Sequence, residues 1–281
     1  MGIVNVTPDS FSDGGLHATV EEALAQAMRL IGDGADILDI GGESTRPGAD
    51  PVPAHEEIAR TIPVIAAVHA RWHGPISIDT MKPEVARAAV AAGATVWNDV
   101  TALTFTPDGP DVAAELGCEV ILMHMQGEPR SMQVEPRYGD VLAEVGDYLL
   151  ARAEAAMAAG VARSRITLDP GIGFGKTMEH NLALIAGLER LAGLGFPVLL
   201  GASRKRMIRN IDPSATEAGD RLGGSIALAL EGARRGAAIV RVHDVRETIQ
   251  ALAVQAAIVS ADQTDQNSAN KIARPTNLTN G

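Results

Sequence analysis

Residues 168–176 read Leu168-Asp169-Pro170-Gly171-Ile172-Gly173-Phe174-Gly175-Lys176, an apolar run that ends in a carboxylate and opens into a glycine-rich turn. Such a turn lets the backbone approach a ligand closely, because glycine has no side chain. With Thr177, its end matches the last part of the phosphate-binding P-loop, Gly-x-x-x-x-Gly-Lys-Ser/Thr. The first glycine of that motif would fall at Pro170, which has no N–H to donate to a phosphate. The informative feature is therefore an acid at the end of a strand.

Seven other short apolar runs turn polar at their carboxyl ends in the same way. These seven runs are residues 2–6, 37–40, 76–79, 95–99, 120–124, 198–201 and 239–243, and residues 166–169 make the eighth. Alanine-rich segments with helical spacing separate them, among them 20–31, 56–68, 83–92, 141–159, 182–191, 221–234 and 245–258. This alternation predicts an α/β fold, a single (β/α)8 TIM barrel with its active site at the C-terminal ends of the strands. A doubly wound open sheet is the alternative. It usually has fewer repeats and a Gly-x-Gly-x-x-Gly turn after strand one, which is absent from residues 5–9.

Composition favours one barrel domain in a reducing compartment. The chain has 281 residues, 46% of them hydrophobic, with no run of 18 apolar residues and no basic n-region at its start. Its one cysteine, Cys118, excludes an internal disulfide, and we interpret it as structural. A net charge of −11 argues against general binding of nucleic acid. We expect a cytoplasmic protein with a barrel domain over residues 1–259 and a polar, disordered tail over residues 260–281.

Polar residues at the strand ends are expected to converge at the mouth of the barrel. Residues two apart in a strand share a face, so Arg241 and His243 point the same way at the end of strand eight. The predicted set is Asn5, Asp79, Asn98, Asp169, Lys205, Arg241 and His243. A single acid at a strand end is more often a helix cap, and Asp39 is interpreted in that way. His124, at the end of strand five, fits either the site or the surface.

The chemistry of this set suits a flat heterocycle. Acids, an amide and a lysine bind an edge that presents N–H, N–H₂ and carbonyl groups, as in a pterin or a purine. Aromatic residues make up only 3% of the chain, but Arg241 can lay its guanidinium plane on a ring. Arg46, Arg241 and His243, cationic or potentially cationic in an acidic protein, indicate an anion site for phosphate. Mg²⁺ held by the amide oxygen of Asn5 and by substrate phosphates is compatible with this set.

At these residues the chain resembles the dihydropteroate synthases. The matching blocks cover nearly the whole predicted barrel and lie at residues 1–15, 42–48, 78–80, 98–100, 169–176, 203–205 and 241–244. The resemblance implies a transferase of folate biosynthesis, which condenses 6-hydroxymethyl-7,8-dihydropterin pyrophosphate with 4-aminobenzoate. The products are 7,8-dihydropteroate and pyrophosphate. The resemblance also implies Mg²⁺ as cofactor and a homodimer.

The resemblance implies a role for each matching residue. The substrate-binding residues would be Thr45, Arg46, Pro47, Asp79, Asn98, Met123, Asp169, Phe174, Gly201, Ser203, Lys205, Arg241 and His243, and Asn5 would contact Mg²⁺. Those expected to be catalytic are Asp79, Asp169, Lys205, Arg241 and His243. By this resemblance, the pterin edge would be bound by Asp79, Asn98, Asp169 and Lys205, and the pterin faces would contact Met123 and Arg241. Pyrophosphate would be bound by Arg46, Arg241 and His243, and the aminobenzoate site would be lined by Thr45, Pro47, Phe174 and Ser203.

Two other functions stay open on the residues alone. A methyltetrahydrofolate-dependent methyltransferase would share the pterin-binding acids but has no use for a pyrophosphate site. A non-catalytic pterin-binding paralogue would be expected to lack Asn5, Arg46 or His243, and the presence of all three favours the synthase. The segments 7–15 and 44–49 have little apolar surface, so we hypothesise that binding of the pterin pyrophosphate orders both of them.

Overall fold

The computed structural model describes residues 1–6, 15–44, 49–127, 132 and 134–272, without the side chains of 15–19 and 262–272. Its strands are β1 Gly2–Asn5, β2 Leu38–Gly41, β3 Ile76–Asp79, β4 Val96–Asp99, β5 Glu119–Met123, β6 Ile166–Asp169, β7 Leu199–Leu200 and β8 Ile239–Val240. Its helices are α1 Gly15–Gly32, α2 Ala54–His69, α3 Pro83–Ala91, α4 Gly109–Leu116, α5 Val141–Ala159, α6 Met178–Ala186, α7 Leu188–Ala192, α8 Arg206–Ile211, α9 Leu222–Arg234 and α10 Val245–Ile272.

The strands lie side by side in chain order and close into a barrel. β1 to β6 form one parallel sheet, and β7 pairs with β8 in a second. Parallel bridges from Leu168 to Val198 and from Gly2 to Val242 join the two sheets at both edges. The backbone N–H of Ile3 donates to the carbonyl oxygen of Val242 at 3.1 Å, which connects the eighth strand segment to the first. The predicted (β/α)8 barrel is confirmed.

Alternation along the strands separates a packed floor from a polar mouth. Near the amino ends of the strands, the barrel interior is filled by an apolar cluster of Met1, Val96, Ile121 and Leu199. The outward-facing side chains, such as Trp97 and Ile78, are fully buried against the helices. Towards the carboxyl ends, the interior positions become polar. The polar positions thus face the carboxyl side of the barrel, which is where barrels of this kind carry their sites.

One predicted helix is divided in two. The sequence predicts a single helix over 182–191, whereas α6 and α7 meet at Gly187. A Cβ at Gly187 would overlap the side chain of Leu142 on α5, so the chain approaches α5 closely there. Glycine is also a weak helix former, and the break falls at the position where close approach requires it.

The last helix extends further than the sequence indicates. Disorder is predicted from residue 260, but α10 continues to Ile272. Once a helix is nucleated, each added residue gains one backbone hydrogen bond at little further cost, so even a polar segment can prolong it. Residues 273–281 lie outside the part that the structure describes, and the disordered tail stays a prediction for them.

Two expectations from composition can be compared with the structure. Within the described ranges, no helix is long and apolar enough to cross a membrane. Cys118 lies directly before β5, at the amino end of the strand, and is buried. Burial raises the pKa of its thiol to about 11, so it stays protonated at neutral pH. This environment is typical of a structural cysteine.

Candidate active site

A row of polar residues lines one side of the mouth. In the parallel register, Gly41 is level with Asn5 on one side and with Asp79 on the other. Asp79 is level in turn with Asn98 on β4. A Cβ added to Gly41 would lie 3.4 Å from the Cβ of Asp79, so the glycine leaves open space beside this acid. The structure thus brings together the predicted residues of strands one, three and four.

Arg241 reaches across the mouth from the end of β8 and joins two acids. Its Nε donates to Oδ2 of Asp39 at 2.5 Å, and its Nη2 donates to Oδ2 of Asp79 at 2.8 Å. Burial alone would lower the pKa of Arg241, but the carboxylates of Asp39 and Asp79 outweigh it and raise the pKa overall. The guanidinium is therefore a fixed positive charge at the bottom of the mouth.

Asp39 belongs to this site and is not the helix cap that the sequence suggested. Its side chain is fully buried, and its two oxygens lie 3.4 and 3.3 Å from Nδ2 of Asn98. Asp39 lay within the predicted run 37–40, and β2 Leu38–Gly41 places it inside the strand rather than at its end. The signal was present in the alternation of Asp39 with Gly41, which places both on the interior face.

Asp79 carries a buried oxygen that is ready for a ligand. Its Oδ1 has no hydrogen-bond partner among the residues that the structure describes. Burial raises the pKa of Asp79 to about 7, which Arg241 opposes and Asp39 reinforces. An unsatisfied buried polar group costs about 1–3 kcal/mol. A ligand N–H placed at this oxygen would remove that cost.

Asp169 is held by the turn that follows it. It ends β6, level with Met123 on β5, and its Oδ1 accepts from the N–H of Gly171 at 2.7 Å. Burial raises the pKa of Asp169, while this hydrogen bond and the ammonium of Lys205 act in the opposite direction. Gly171 has φ +66°, and a Cβ there would overlap the carbonyl oxygen of His124. The turn is therefore packed directly on the end of β5 at a position that only glycine can fill.

The remaining glycines of the turn also serve close packing. A Cβ at Gly173 would lie 3.3 Å from Cδ of Lys205, and one at Gly175 would overlap the backbone of Gln126. Between them, Phe174 places its ring 4.2 Å from Nζ of Lys205, within the range of a cation–π contact. The spacing of the glycines thus brings two predicted substrate residues, Phe174 and Lys205, into contact.

Ser203 and His243, predicted for neighbouring subsites, touch each other. Oγ of Ser203 lies 3.0 Å from Nδ1 of His243 and accepts from its backbone N–H at 3.2 Å. Beside them, Nε of Arg204 donates to Oδ2 of Asp244 at 3.0 Å, which ties the segments after β7 and β8 together. Burial lowers the pKa of His243 to about 3, and Arg204 and Arg241 act in the same direction. His243 is therefore neutral in this environment, and its expected role at an anion site stays a prediction.

His124 and Lys176 form a buried pair beneath the glycine-rich turn that the predicted site did not include. Nζ of Lys176 lies 2.9 Å from Nδ1 of His124. Burial lowers the pKa of His124 to about 3 and that of Lys176 to about 7. His124 is thus an interior residue next to the site. The lysine that ends the glycine-rich stretch was the available signal for this pair.

Part of the predicted site lies outside the described residues. This holds for Thr45, Arg46 and Pro47 and for residues 7–14 of the first loop, so the proposed ordering of both loops is untested. Gly201, directly after β7, does face the site, because a Cβ there would lie 3.9 Å from Cβ of Arg241.

The donor set limits how a metal could bind. In the described part of the chain, no three His, Cys, Asp or Glu side chains are grouped to hold an ion. Asn5 supplies one carboxamide oxygen at the end of β1. Mg²⁺ often takes one or two protein oxygens and completes its shell with waters and substrate phosphates, and Asn5 fits that pattern.

The chain is similar to known proteins over most of its length. A family model described as "Pterin binding enzyme" matches residues 1–243. The dihydropteroate synthase of Escherichia coli (strain K12) is 47% identical over 266 residues, 94% of this chain and 92% of that protein. A structure of Xanthomonas albilineans dihydropteroate synthase with 4-aminobenzoic acid has a TM-score of 0.86 and 52% identity, and covers 92% of this chain and 91% of its own. Another, with 7,8-dihydropteroate, has a TM-score of 0.83 and 50% identity, and covers 92% of each chain.

Proposed function

The chain belongs to the pterin binding enzyme family, and we propose that its barrel catalyses the dihydropteroate synthase reaction. The pyrophosphate ester of 6-hydroxymethyl-7,8-dihydropterin condenses with 4-aminobenzoate to give 7,8-dihydropteroate and pyrophosphate. The observation that carries the proposal is the buried Oδ1 of Asp79, which has no partner in the described part of the chain, beside Asn98 and the fixed cation of Arg241. Relatives that are 47–52% identical bear the name of this activity, and two of their structures hold 4-aminobenzoic acid or 7,8-dihydropteroate.

The pterin binds with its polar edge towards the strand ends. Its N–H and N–H₂ groups donate to the carboxyl groups of Asp79 and Asp169, and Asn98 donates or accepts beside them. Lys205 donates to an acceptor on the same edge. An analogue without these groups would leave buried acids unpaired, so this arrangement gives selectivity as well as affinity.

The pyrophosphate binds above the end of β8. Arg241 supplies the fixed positive charge, Arg46 a second one, and His243 a hydrogen bond from its neutral ring. A bound phosphate would raise the pKa of His243, because a negative charge favours the imidazolium. Asn5 would hold Mg²⁺ together with phosphate oxygens, and the bound ion supplies charge neutralisation on the leaving group.

The chemistry requires no protein nucleophile. The C–O bond between the pterin methylene and pyrophosphate breaks, a C–N bond to the amino group of aminobenzoate forms, and the amine loses a proton. As the C–O bond breaks, positive charge spreads into the pterin ring and negative charge grows on the pyrophosphate. The carboxylates of Asp79 and Asp169 stabilise the ring, and Arg241 stabilises the leaving group, more in the transition state than in the ground state. The aminobenzoate ring lies against Thr45, Pro47, Phe174 and Ser203.

Incubation of the protein with the dihydropterin pyrophosphate, Mg²⁺ and 4-aminobenzoate tests this function. We expect pyrophosphate and dihydropteroate in equal amounts, dependent on both substrates. The Asp79→Asn variant is the matched control, since it keeps the shape of the side chain and loses the carboxylate. Absence of dihydropteroate would exclude the synthase. Methyl transfer from methyltetrahydrofolate would support the alternative enzyme instead.

The proposed enzyme acts as a homodimer. Among the described side chains of α10, four large apolar ones are exposed, Ile249, Val254, Ile258 and Val259. Apolar side chains grouped on one helix of a soluble fold commonly mark a protein contact. Light scattering is expected to give twice the 29.3 kDa of one chain. A single-chain mass at micromolar concentration would contradict the dimer without affecting the proposed reaction.

A further inference from the structure

A buried lysine that the proposed reaction does not use lies beneath the glycine-rich turn. Lys176 is 3% exposed. Its Nζ lies 2.9 Å from Nδ1 of His124, 2.9 Å from the carbonyl oxygen of Phe174 and 3.3 Å from the carbonyl oxygen of His124. An ammonium group has three N–H donors, and these three acceptors match them in number. The protein itself therefore satisfies the whole ammonium group.

The three acceptors come from two different segments. His124 directly follows β5, and Phe174 lies in the turn after β6. The backbone N–H of His124 donates to the carbonyl oxygen of Asp169 at 3.0 Å, and the hydroxyl of Tyr138 donates to that of Gly175 at 2.8 Å. Lys176 thus connects the middle of the turn to the end of β5. The hydrogen bonds of Asp169 and Gly175 hold the turn at its beginning and near its end.

Two proposed substrate residues depend on the position of this turn. Lys176 donates to the backbone carbonyl of Phe174, and the ring of the same Phe174 contacts Lys205. The position of that ring therefore depends on the hydrogen bond to Lys176. Asp169 begins the turn, and the positive charge of Lys176 acts with that of Lys205 against the rise in the pKa of Asp169 that burial causes. Lys176 therefore influences both the geometry and the ionisation of groups that face the substrates.

A role in packing alone does not account for this residue. Burying an ammonium among neutral acceptors is costly, as the lowered pKa of Lys176 indicates. Among the described residues, the hydrogen-bond partners of its Nζ are a histidine ring and two backbone carbonyls, and the nearby carboxylate of Asp169 offsets the cost only in part. Buried charged groups can often be replaced by apolar side chains of similar volume without loss of stability. A methionine would fill the same space, so the charge itself requires an explanation.

We propose that Lys176 is a positioning residue for the reaction proposed above: its contacts with His124 and Phe174 hold the turn so that Asp169 faces the pterin and Phe174 faces the aminobenzoate. Lys176 does not touch substrate. The inference rests on the proposed function, and it adds a residue outside the substrate pocket on which turnover depends.

The Lys176→Met variant tests the proposal, because it keeps the length of the side chain and removes the donors. We expect kcat/KM per folded enzyme to fall roughly 10- to 100-fold, the size of effect that a small misplacement of reacting groups produces. The KM for aminobenzoate should rise, and the affinity for a pterin without pyrophosphate, measured by calorimetry, should fall. As a stability control, Val145→Ala on α5 should lower the unfolding temperature and leave kcat and KM unchanged.

A pair of variants at His124 tests the same contact from its other side. His124→Asn keeps a side-chain acceptor near the position of Nδ1, and His124→Leu removes it. We expect the Asn variant to keep most of the turnover and the Leu variant to match Lys176→Met. If Lys176→Met cannot be obtained folded, this pair decides the question.

Two results would overturn the positioning role. The first is a folded Lys176→Met enzyme with wild-type kcat, KM and pterin affinity. The second is an equal loss in both His124 variants. A wild-type protein that forms no dihydropteroate would refute the proposed function instead, and pterin affinity in the variants would still test the role of Lys176.

Discussion

Two carboxyl groups contact one guanidinium at the bottom of the mouth, and this arrangement affects the pKa of Asp79. Asp39 and Asp79 both contact Arg241, so two potential negative charges face one positive charge in a buried space. The pKa of Asp79 is raised to about 7 as a result of its burial, with Asp39 adding to the effect. An acid that titrates near neutral pH can hold its proton or release it as the ligand demands.

The raised pKa of Asp79 predicts a pH-dependent effect of the Asp79→Asn variant on stability. Because the folded pKa of about 7 exceeds the ordinary 3.8, folding favours the protonated acid. Its stabilising contribution is complete below pH 3.8 and is lost as the pH rises through the folded pKa. Asn does not titrate, so the variant should gain stability relative to wild type by up to about 1.4 kcal/mol for each pH unit in that window. Urea unfolding across the window measures this difference, and a difference that does not change with pH would contradict the prediction.

Removal of Arg241 should damage the fold as well as the site. Arg241→Ala leaves Asp39 and Asp79 buried together without their cation, which should lower the free energy of unfolding by about 3–5 kcal/mol. The double variant Arg241→Ala, Asp39→Asn should recover part of this loss, because it removes one of the two unpaired charges. Chemical unfolding of both variants provides the test. Equal free energies of unfolding in the single and double variants would show that Asp39 is not the source of the loss caused by removing Arg241.

The sequence located most of the described site but not the state of each group. Asp79, Asn98 and Asp169 were predictable, because strand ends in a parallel barrel point to one mouth. Asp39 was left out because it was interpreted as a helix cap, although its alternation with Gly41 in β2 places it on the interior face. The protonation state of His243 could not be inferred from the sequence, because its pKa depends on burial and on the charges of Arg204 and Arg241. Such environments are set by the fold and cannot be inferred from residue types.

At the scale of elements, the glycine-rich turn after β6 positions groups by close packing. Three glycines of this turn have positive φ: Gly171 has φ +66°, and Gly173 and Gly175 also lie in this region. The turn packs on the end of β5 and on Lys205, so its glycines are steric requirements. The sequence correctly indicated close approach of the backbone at this point, but it could not show that the nearest neighbour is protein.

Substitution of Gly171 should therefore be far more harmful than a similar change elsewhere. Gly171→Ala forces a left-handed conformation that costs about 1–2 kcal/mol and adds an overlap with the carbonyl oxygen of His124. The turn must shift, and pterin affinity should fall with stability. Gly223 on α9 has nothing within 4 Å of an added Cβ, so Gly223→Ala should stabilise the protein by about 0.5–1 kcal/mol. Unfolding and pterin calorimetry on both variants test this pair, and a wild-type pterin affinity in Gly171→Ala would contradict it.

The whole molecule explains how residues at opposite ends of the sequence form one site. Arg241 and Asp39 are 202 positions apart, and they meet because β8 returns to β1 and closes the ring. Closure was predictable from the number of alternating strand and helix segments. The break at Gly187 and the extent of α10 were not, because they depend on contacts with α5 and on helix propagation rather than on local pattern.

The first part of α10 packs on the barrel, whereas residues 256–261 do not. Val245 and Thr248 are buried, and a Cβ on Gly2 would lie 3.1 Å from Cγ2 of Val245, so the start of α10 packs on β1. Nε2 of Gln255 still donates to the carbonyl oxygen of Leu230 on α9 at 3.1 Å, whereas residues 256–261 are exposed. Among residues 245–261, the stabilisation that α10 gives to the barrel should therefore come mainly from residues before 256.

Truncation after residue 259 should consequently leave the barrel intact. We expect an unfolding temperature and a turnover close to those of the full chain, because residues 256–261, which lead into the deleted segment, are exposed. Truncation after Asp244 is the matched control, since it exposes the apolar surface beneath Val245 and should prevent stable folding. Light scattering on the shorter protein should still give a dimer, because the four exposed apolar side chains proposed for the contact, Ile249, Val254, Ile258 and Val259, are retained. A large fall in the unfolding temperature of the 1–259 protein, with its mass unchanged, would show that the segment after residue 259 belongs to the barrel domain itself.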